Sequence, residues 1–466
     1  MTGSSKTMKT DVMNSLEQYV DIYRENSEAI DAHSAPVMNA ARPRALASLD
    51  GRHLPVLGDE GYEKTSVDAM LAADYGLNFN RVGIPVNVAA SFRCGVPNMS
   101  TLLGVVVNDE FHESKNLHEK LPDGVLYMSL KKAAEQYPEL VSPYYGHIAS
   151  ADNVPAALNT LLAQDGVFVY VPAGVTVEKP LQLVNIFSSP APLMAARRML
   201  VVVGDGASVQ LLGCDHTQDS GQRYLSLQVA EIVLGRDSRL DYYDLEESSE
   251  NTVRHSQIFA RQDSGSSLLV NGMTLTCGTT RNDYFIDITG DGSDTLLAGM
   301  AIGSGHQHID NSSVVVHTGT HCHSRQLFKY VLDDESTGAF EGCIRVDEGA
   351  CFTEAYQSDR NLLASSAARM HTKPQLLIYC DDVKCSHGAT TGQLDQDALF
   401  YMRSRGISEK TARTMLMEAF MAEVVDTVRM DGLRERLRML VEKRFHGQSS
   451  FCGDCSGACI DAAPIQ

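Results

Sequence analysis

The stretch Asp165-Gly-Val-Phe-Val-Tyr-Val171 marks a change of texture, and the way it continues decides the fold. Beyond it the chain becomes a succession of short apolar runs broken by Gly, Asp and Ser. Met199-Leu-Val-Val-Val203 is one such run; Leu225, Leu227 and Val229 alternate with polar neighbours, as do Met273, Leu275 and Cys277. Turn signals recur at Gly204-Asp-Gly206, Gly235-Arg-Asp-Ser238, Asp263-Ser-Gly265 and Gly290-Asp-Gly292. They lie about 25–31 positions apart, which fits an all-β repeat better than βαβ units. No helical period separates the runs, so a doubly wound sheet is disfavoured. A β-solenoid and a β-sandwich both accommodate this spacing. The unbroken length, to about Tyr379, favours the solenoid, although no strict hexapeptide period is visible.

On the N-terminal side, Val12, Leu16, Tyr19, Val20 and Tyr23 share one face at the 3.6-residue period, predicting a helix over about Thr10–Glu28. A Pro- and Gly-punctuated stretch follows, including Arg42-Pro-Arg-Ala45 and Leu57-Gly-Asp-Glu-Gly61. Leu126–Ala134 and Ala156–Ala163 read as further helices, so the first third is expected to be an α-rich cap. On the C-terminal side the helical period returns. Asp397–Arg405 is stopped by Gly406, and Ser408 caps the next helix. There Ala412, Met415, Leu416, Ala419, Phe420, Val424 and Val428 form an apolar stripe. A basic helix follows over about Leu433–Phe445. The expected units are residues 1–164 (N-terminal, α-rich), 165–390 (β core), 391–446 (C-terminal helical) and 447–466 (flexible, Cys-rich tail).

Composition excludes several roles. Among 466 residues, 39 Lys plus Arg face 59 Asp plus Glu, a formal charge of −20, which argues against binding nucleic-acid phosphates. No run approaches the roughly 18 apolar residues of a membrane span, and Met1–Thr10 lacks the apolar core of a signal peptide. Both point to the cytoplasm, where the 11 cysteines stay reduced. No Gly-x4-Gly-Lys-Ser/Thr motif is present, so ATP hydrolysis by this chain is not expected. Val201–Val209 lacks the third glycine of a dinucleotide fingerprint and runs into a strand, so Gly204–Gly206 is read as a turn.

Three clusters hold ligand chemistry. His306, His308, His317, His321 and His323 form two strand-spaced pairs and a fifth imidazole; the set can bind a transition metal or simply line the turns. Cys385 and His387, two apart, face the same side of an extended strand. Lys384 or a neighbouring imidazolium would lower the thiol pKa and leave a nucleophilic or iron-binding thiolate. In the bland alternative this is a polar strand end, with Asp381 and Asp382 making the turn. Cys452, Cys455 and Cys459 are three soft ligands in a Gly-rich tail, able to hold an iron–sulfur cluster or zinc with one outside ligand, or to remain an unliganded tail. Cys94, Cys214, Cys277, Cys322, Cys343 and Cys351, scattered singly, are read as core fillers.

Lys373-Pro-Gln-Leu-Leu-Ile378, Asp381-Asp-Val-Lys-Cys-Ser-His-Gly-Ala-Thr390 and Gly392–Ile407 closely resemble the SufB/SufD family of SUF iron–sulfur cluster assembly scaffolds. Ser324–Lys329, Gly338–Gly342, Gln357–Leu363 and Leu158–Pro172 extend the likeness over nearly the whole chain except the tail. It is weaker at Asp59–Thr65, where the family's usual Trp is missing. In SufB the stretch matching Gln357–Leu363 carries a Cys-Asp-Ser whose cysteine receives sulfur, and a Glu follows the strand histidine. Here that stretch has no cysteine and Gly388 follows His387, so the resemblance is to the SufD branch rather than to a SufB-type paralogue.

The resemblance implies a mainly β protein with a right-handed parallel β-helix core and helical domains at both ends. It also implies a complex with SufB and two copies of the ATPase SufC. The segment carrying Phe400, Ala412, Met415, Leu416, Ala419 and Phe420 matches the part that docks SufC. His387, with Cys385 beside it, matches the place at the SufB–SufD interface where iron enters or a nascent cluster forms. The only cofactor implied is that transient iron or cluster, shared with SufB; flavin association is left open. The role is a non-catalytic scaffold. A carbohydrate-acting solenoid enzyme, the rival reading, needs paired carboxylates on an exposed strand face, and none stands out. Deletion of everything after Gln448 tests the tail: bound iron or zinc falls, by elemental analysis of the purified protein, if the three cysteines are ligands and is unchanged if they are not.

Overall fold

The computed structural model describes residues 15–84, 86, 100–114, 117–218 and 221–447. Its strands, in chain order, are β1 Leu102–Val107, β2 Glu110–Glu113, β3 Leu126–Ser129, β4 Val167–Val171, β5 Leu181–Phe187, β6 Leu193–Val203 and β7 Ser208–Thr217. They continue with β8 Tyr224–Leu234, β9 Arg239–Glu247, β10 Thr252–Gln262, β11 Ser267–Thr276, β12 Thr279–Ile288 and β13 Asp294–Gly303. The last six are β14 His308–His317, β15 His323–Leu332, β16 Thr337–Val346, β17 Glu354–Leu363, β18 Arg369–Ile378 and β19 Lys384–Gln393.

From β4 onward each strand pairs in parallel with the strand two places on, giving two sheets. One runs β19-β17-β15-β13-β11-β9-β7-β5-β1-β2 and the other β18-β16-β14-β12-β10-β8-β6-β4-β3. The result is a parallel β-solenoid of about eight turns, the alternative that the unbroken length of the strand region favours over a sandwich.

Those turn signals are one corner of the coil. Gly174, Gly206, Asp237, Gly265, Gly292, His321 and Phe352 all have φ between +54° and +73°. The N–H of each donates to a carbonyl of the following coil: Gly206 to Arg236, Asp237 to Ser264, Gly265 to Asp291, Gly292 to Thr320, at 2.7–2.8 Å. A left-handed residue at every such corner turns the chain and hands its donor to the next rung. At Gly265 a Cβ would run into the Asp237 carboxylate, so glycine is required there for space as well as for φ.

Strands such as Val167–Val171 and Met199–Val203 read as continuous apolar runs because both their faces are covered. Inside lies an apolar column that includes Val169, Val201, Ile232, Leu268, Ile286 and Phe328. Outside, helices clad each sheet. Against the β6/β8 side pack α1 (Ser15–Ala32), α2 (Pro36–Leu49), α3 (Val67–Leu71) and, further on, α4 (Leu130–Gln136), α5 (Pro138–Val141) and α6 (Val154–Leu162). Against the other sheet pack α8 (Glu409–Val425) and α9 (Asp431–Phe445), with α7 (Gln396–Ser404) packed on α8. Among the described residues no helix is long and apolar enough to cross a membrane.

Three local expectations need correction. Leu126–Ala134 divides into β3 and α4, because the Ser129 hydroxyl caps a new helix by accepting from Lys132 N–H at 3.1 Å. With β1 and β2, this puts strands into both sheets from the segment read as α-rich. Arg42–Ala45 lies inside α2 despite Pro43. There the buried Arg42 guanidinium donates to the carbonyls of Thr160, Leu161 and Ala163, a tertiary anchor that outweighs the lost helical bond. The first helix starts, within the described residues, at Ser15 and runs on to Ala32, so Thr10–Asn14 of that expectation fall outside them.

One buried ion pair fastens the N-terminal cap. Arg198 and Glu231, neighbours across β6 and β8, are fully buried and paired. Glu231 also accepts backbone N–H bonds from Gly146, Ile148 and Ala149, each at 2.9 Å. Glu231→Ala strands the guanidinium and three donors together and is expected to cost about 3–5 kcal/mol in urea unfolding. Glu231→Gln, which keeps the acceptor, is expected to cost distinctly less.

Candidate functional site

The solenoid ends at β18 and β19, each paired on one side only among the described residues. Every residue of β19 except Cys385 is exposed. Register fixes which way its side chains face: Cys385 lies beside Ala355 and His387 beside Gln357 on β17. Ala355 and Gln357 are buried, so Cys385 and His387 share their inward-facing side at the open mouth. The sequence reading that put these two on one face agrees with this arrangement.

Their chemistry differs from what the sequence implied for the thiol. Cys385 packs against Ile344, Val346, Ala350 and Ala355, and burial pushes its pKa up. Lys384 points to the opposite face and pairs with Glu354 at 2.7 Å, so it gives the thiol no activation. His387 is exposed and carries no side-chain hydrogen bond among the described residues. Its imidazole is therefore available to a metal or to a facing strand.

Behind the mouth lies a feature the sequence reading missed. A lane of buried polar side chains follows one side of the interior. Asn185 donates to Asp215 (2.6 Å), and Arg254 forms ion pairs with Asp215 (3.0 Å) and Asp244 (2.5 Å) and donates to Asn282 (2.7 Å). Asn282 donates to Asn311 (3.0 Å), and Asn311 to the Tyr330 hydroxyl (2.6 Å). Nearest the mouth, Gln357 donates to Gln326 (3.0 Å) and Asn361 to Asp359 (2.7 Å), while Gln357 Oε1 and Asn361 Oδ1 are buried with no hydrogen-bond partner among the described residues. Repeated Asp and Asn at matching places of successive strands were the available signal.

The other predicted groups separate. His306 is at an exposed corner near Glu335, His308 bonds Thr65, and His317 is buried against Ser324. His321 is a left-handed corner residue with its ring against Phe352, and His323 is exposed near Glu354. His306 and His321 thus fall in corners rather than strands, which undoes the two face-sharing pairs. Among the described residues no three His, Cys, Asp or Glu come together to hold a metal ion. Cys214, Cys277 and Cys322 are buried fillers as expected, and Cys343 is half-buried. Cys351 is not a filler, since it faces Cys380. Cys94, Cys452, Cys455 and Cys459 lie outside the described residues.

The C-terminal stripe is also redistributed. Met417, Met421, Val424, Val425 and Val428 are buried against the chain's own sheet, on Met300, Leu327 and Val331 among others, and Ala412 is fully buried as well. Ala412 is therefore unavailable for docking. Leu416 and Phe420 are half-buried at the margin, and Lys329 lies over the Phe420 ring. Met415 (44% exposed), Ala419 and above all Phe400 (73%) face outward.

The fold and site define a helix-clad parallel solenoid with one unfinished end, carrying an exposed imidazole beside a shielded thiol. The chain belongs to the SufBD family: the SufBD core domain of SUF-system FeS cluster assembly matches residues 186–420, and the SufBD N-terminal region matches residues 13–183. It is 29% identical over 411 residues to an iron–sulfur cluster assembly SufBD family protein of Synechocystis, covering 86% of this chain and 90% of that one. It is 29% identical over 298 residues to the iron–sulfur cluster assembly protein SufD of Escherichia coli, covering 62% of this chain and 69% of that one. SufD of Bacillus subtilis is 25% identical over 343 residues, covering 73% and 78%.

Burial raises the Asp359 carboxyl from 3.8 to about 6, so the folded chain holds this proton more tightly than the unfolded chain does. The stability it carries is complete below the unfolded value and is lost as pH rises through about 6. Asp359→Asn cannot ionise. Its stability relative to the parent is expected to climb between about pH 4 and 7, by at most about 3 kcal/mol, and then level off. Thermal melts across that range check this, and a flat difference refutes it.

Proposed function

We propose that this chain is a SufD-type scaffold subunit of cytoplasmic iron–sulfur cluster assembly, with no catalytic role of its own. Its open last coil meets SufB, and iron enters or a nascent cluster forms where His387 and a SufB thiol face one another. The iron and sulfide are cargo shared with the partner, not a resident cofactor. The observation that carries this reading is the unfinished coil: β19 exposes a full row of backbone donors and acceptors, a liability that a facing strand removes. His387 stands free at that edge, and Cys385, packed and protonated, supports it as a neighbour.

SufC docks on the outward side of α7 and α8, with Phe400 as the anchor and Met415, Leu416, Ala419 and Phe420 around it. The opposite side of α8 is occupied by the solenoid itself. A push delivered at that surface is passed to the sheet through Glu423, which meets Lys329 at 2.7 Å and Arg360 at 3.2 Å.

His387→Ala is expected to leave co-purification with SufB and SufC intact while iron and acid-labile sulfide in the complex fall severalfold. Unchanged content removes His387 from the mechanism, and a chain that stays monomeric beside both partners sinks the scaffold reading. Phe400→Ala is expected to weaken SufC binding by on the order of 2 kcal/mol, about thirtyfold, in calorimetric titration, with an unchanged melting temperature.

A further inference from the structure

Two cysteines that look unrelated in the sequence meet at the last corner of the solenoid. Cys351 lies in the corner between β16 and β17, and Cys380 in the corner between β18 and β19, one coil later. Their sulfurs are 2.6 Å apart and both side chains are half-buried, within reach of small solutes. The backbone holds them there from both sides. The Cys351 carbonyl accepts from His321 N–H at 3.0 Å, Phe352 N–H donates to Asp382 at 2.6 Å, and Tyr379 N–H donates to Val346 at 2.9 Å. Stacked corners of adjacent coils sit about 4.8 Å apart, inside the Cα separation that a disulfide spans without backbone movement.

We infer that Cys351 and Cys380 form a redox-modification site: in the presence of a hydroperoxide they close to a disulfide that staples the final coil to the one before it. The chemistry balances with that oxidant alone. One sulfur, as thiolate, attacks the terminal peroxide oxygen; an S–O bond forms, the O–O bond breaks, and the departing oxygen takes up the thiol proton as an alcohol, or as water from hydrogen peroxide. The second thiolate attacks the sulfenic sulfur; the S–S bond forms, the S–O bond breaks, and hydroxide leaves with the second proton as water. Two thiols lose two electrons and two protons to one peroxide.

The position gives the bond a consequence. Among the described residues β19 has β17 as its one ladder partner, and the staple ties the corner leading into β17 to the corner leading into β19. Oxidation therefore fastens the strand that carries Cys385 and His387. The hydrogen bond shared with Cys380 and the loss of hydration at the corner, with Asp382 and Asp381 nearby, hold the Cys351 pKa up, so Cys351 rests as a thiol until challenged. This inference stands apart from the assembly reading and uses neither SufB nor SufC.

The test uses the reduced full-length chain treated with hydrogen peroxide, alkylated, and digested without reductant. A linked peptide pair containing Cys351 and Cys380 is expected. It should vanish in Cys351→Ser and in Cys380→Ser, persist in Cys385→Ser, and revert with dithiothreitol. Recovery of Cys380 bonded to Cys385, or of Cys351 and Cys380 as alkylated free thiols after treatment, overturns the site. Hydrogen exchange of Lys384–Gln393 should slow about tenfold or more in the oxidised chain. Unchanged exchange overturns the staple. Melting curves of the two Ser variants, expected to match the reduced parent, exclude misfolding as the cause.

Discussion

Every coil of this protein is positioned by the coil before it, through in-register parallel pairing and one corner N–H handed to the next rung. That single constraint explains most of what surrounds it. A one-residue slip inside any strand would exchange its inward and outward faces, so length variation is confined to the corners. The corners in turn demand left-handed backbone, which Gly supplies freely and Asp237, His321 and Phe352 adopt under the pull of the ladder. Stacking also leaves both outer faces bare and apolar, which is why helices from both ends of the chain fold back to cover them.

Within the stack, one side is apolar and the other holds the lane from Asn185 to Asn361. Arg254, fully buried, touches Asp215 and Asp244, and Glu246 lies at 3.8 Å. Burial costs such charges their hydration, and the close pairing offsets it. The pairing is also specific: Asp215 draws on Arg197 from the coil before and Arg254 from the coil after, so neighbouring coils are matched by charge as well as by shape. Near the mouth the pairing thins out, and Asp359 has an amide, not a cation, for company.

What could be read from the sequence follows from this physics. Val167–Val171 and Met199–Val203 are legible as strands, and Gly204–Gly206 and Gly290–Gly292 as turns, because local chemistry alone dictates them. The caps at Ser408 and Gly406 are legible for the same reason. The polar lane was hidden because strands buried on both faces do not alternate, so the parity of Asp215 or Asp244 could not be assigned. Part of the apolar stripe was read too broadly, because a helical period shows that a face is apolar without showing what covers it; Ala412 and Val424 turned out to be buried within the chain itself. Cys385 and His387 were found by two-residue strand spacing. Cys351 and Cys380 were not, since the 29 positions between them carry meaning only once the coil length is known.

The C-terminal helices have a mechanical consequence. From Arg360 on β17 through Lys329 on β15 and Asn271 on β11 to Asp241 on β9, the α8–α9 hairpin is tied to rungs along most of one sheet. It acts as a splint. Bending that would open those rungs must shear the hairpin, whereas the last strands of the opposite sheet, β16 and β18, have no such brace from it. On that opposite sheet the ties come instead from the N-terminal segment, where Glu63 meets Lys373 on β18, so the two sheets are braced from opposite ends of the chain.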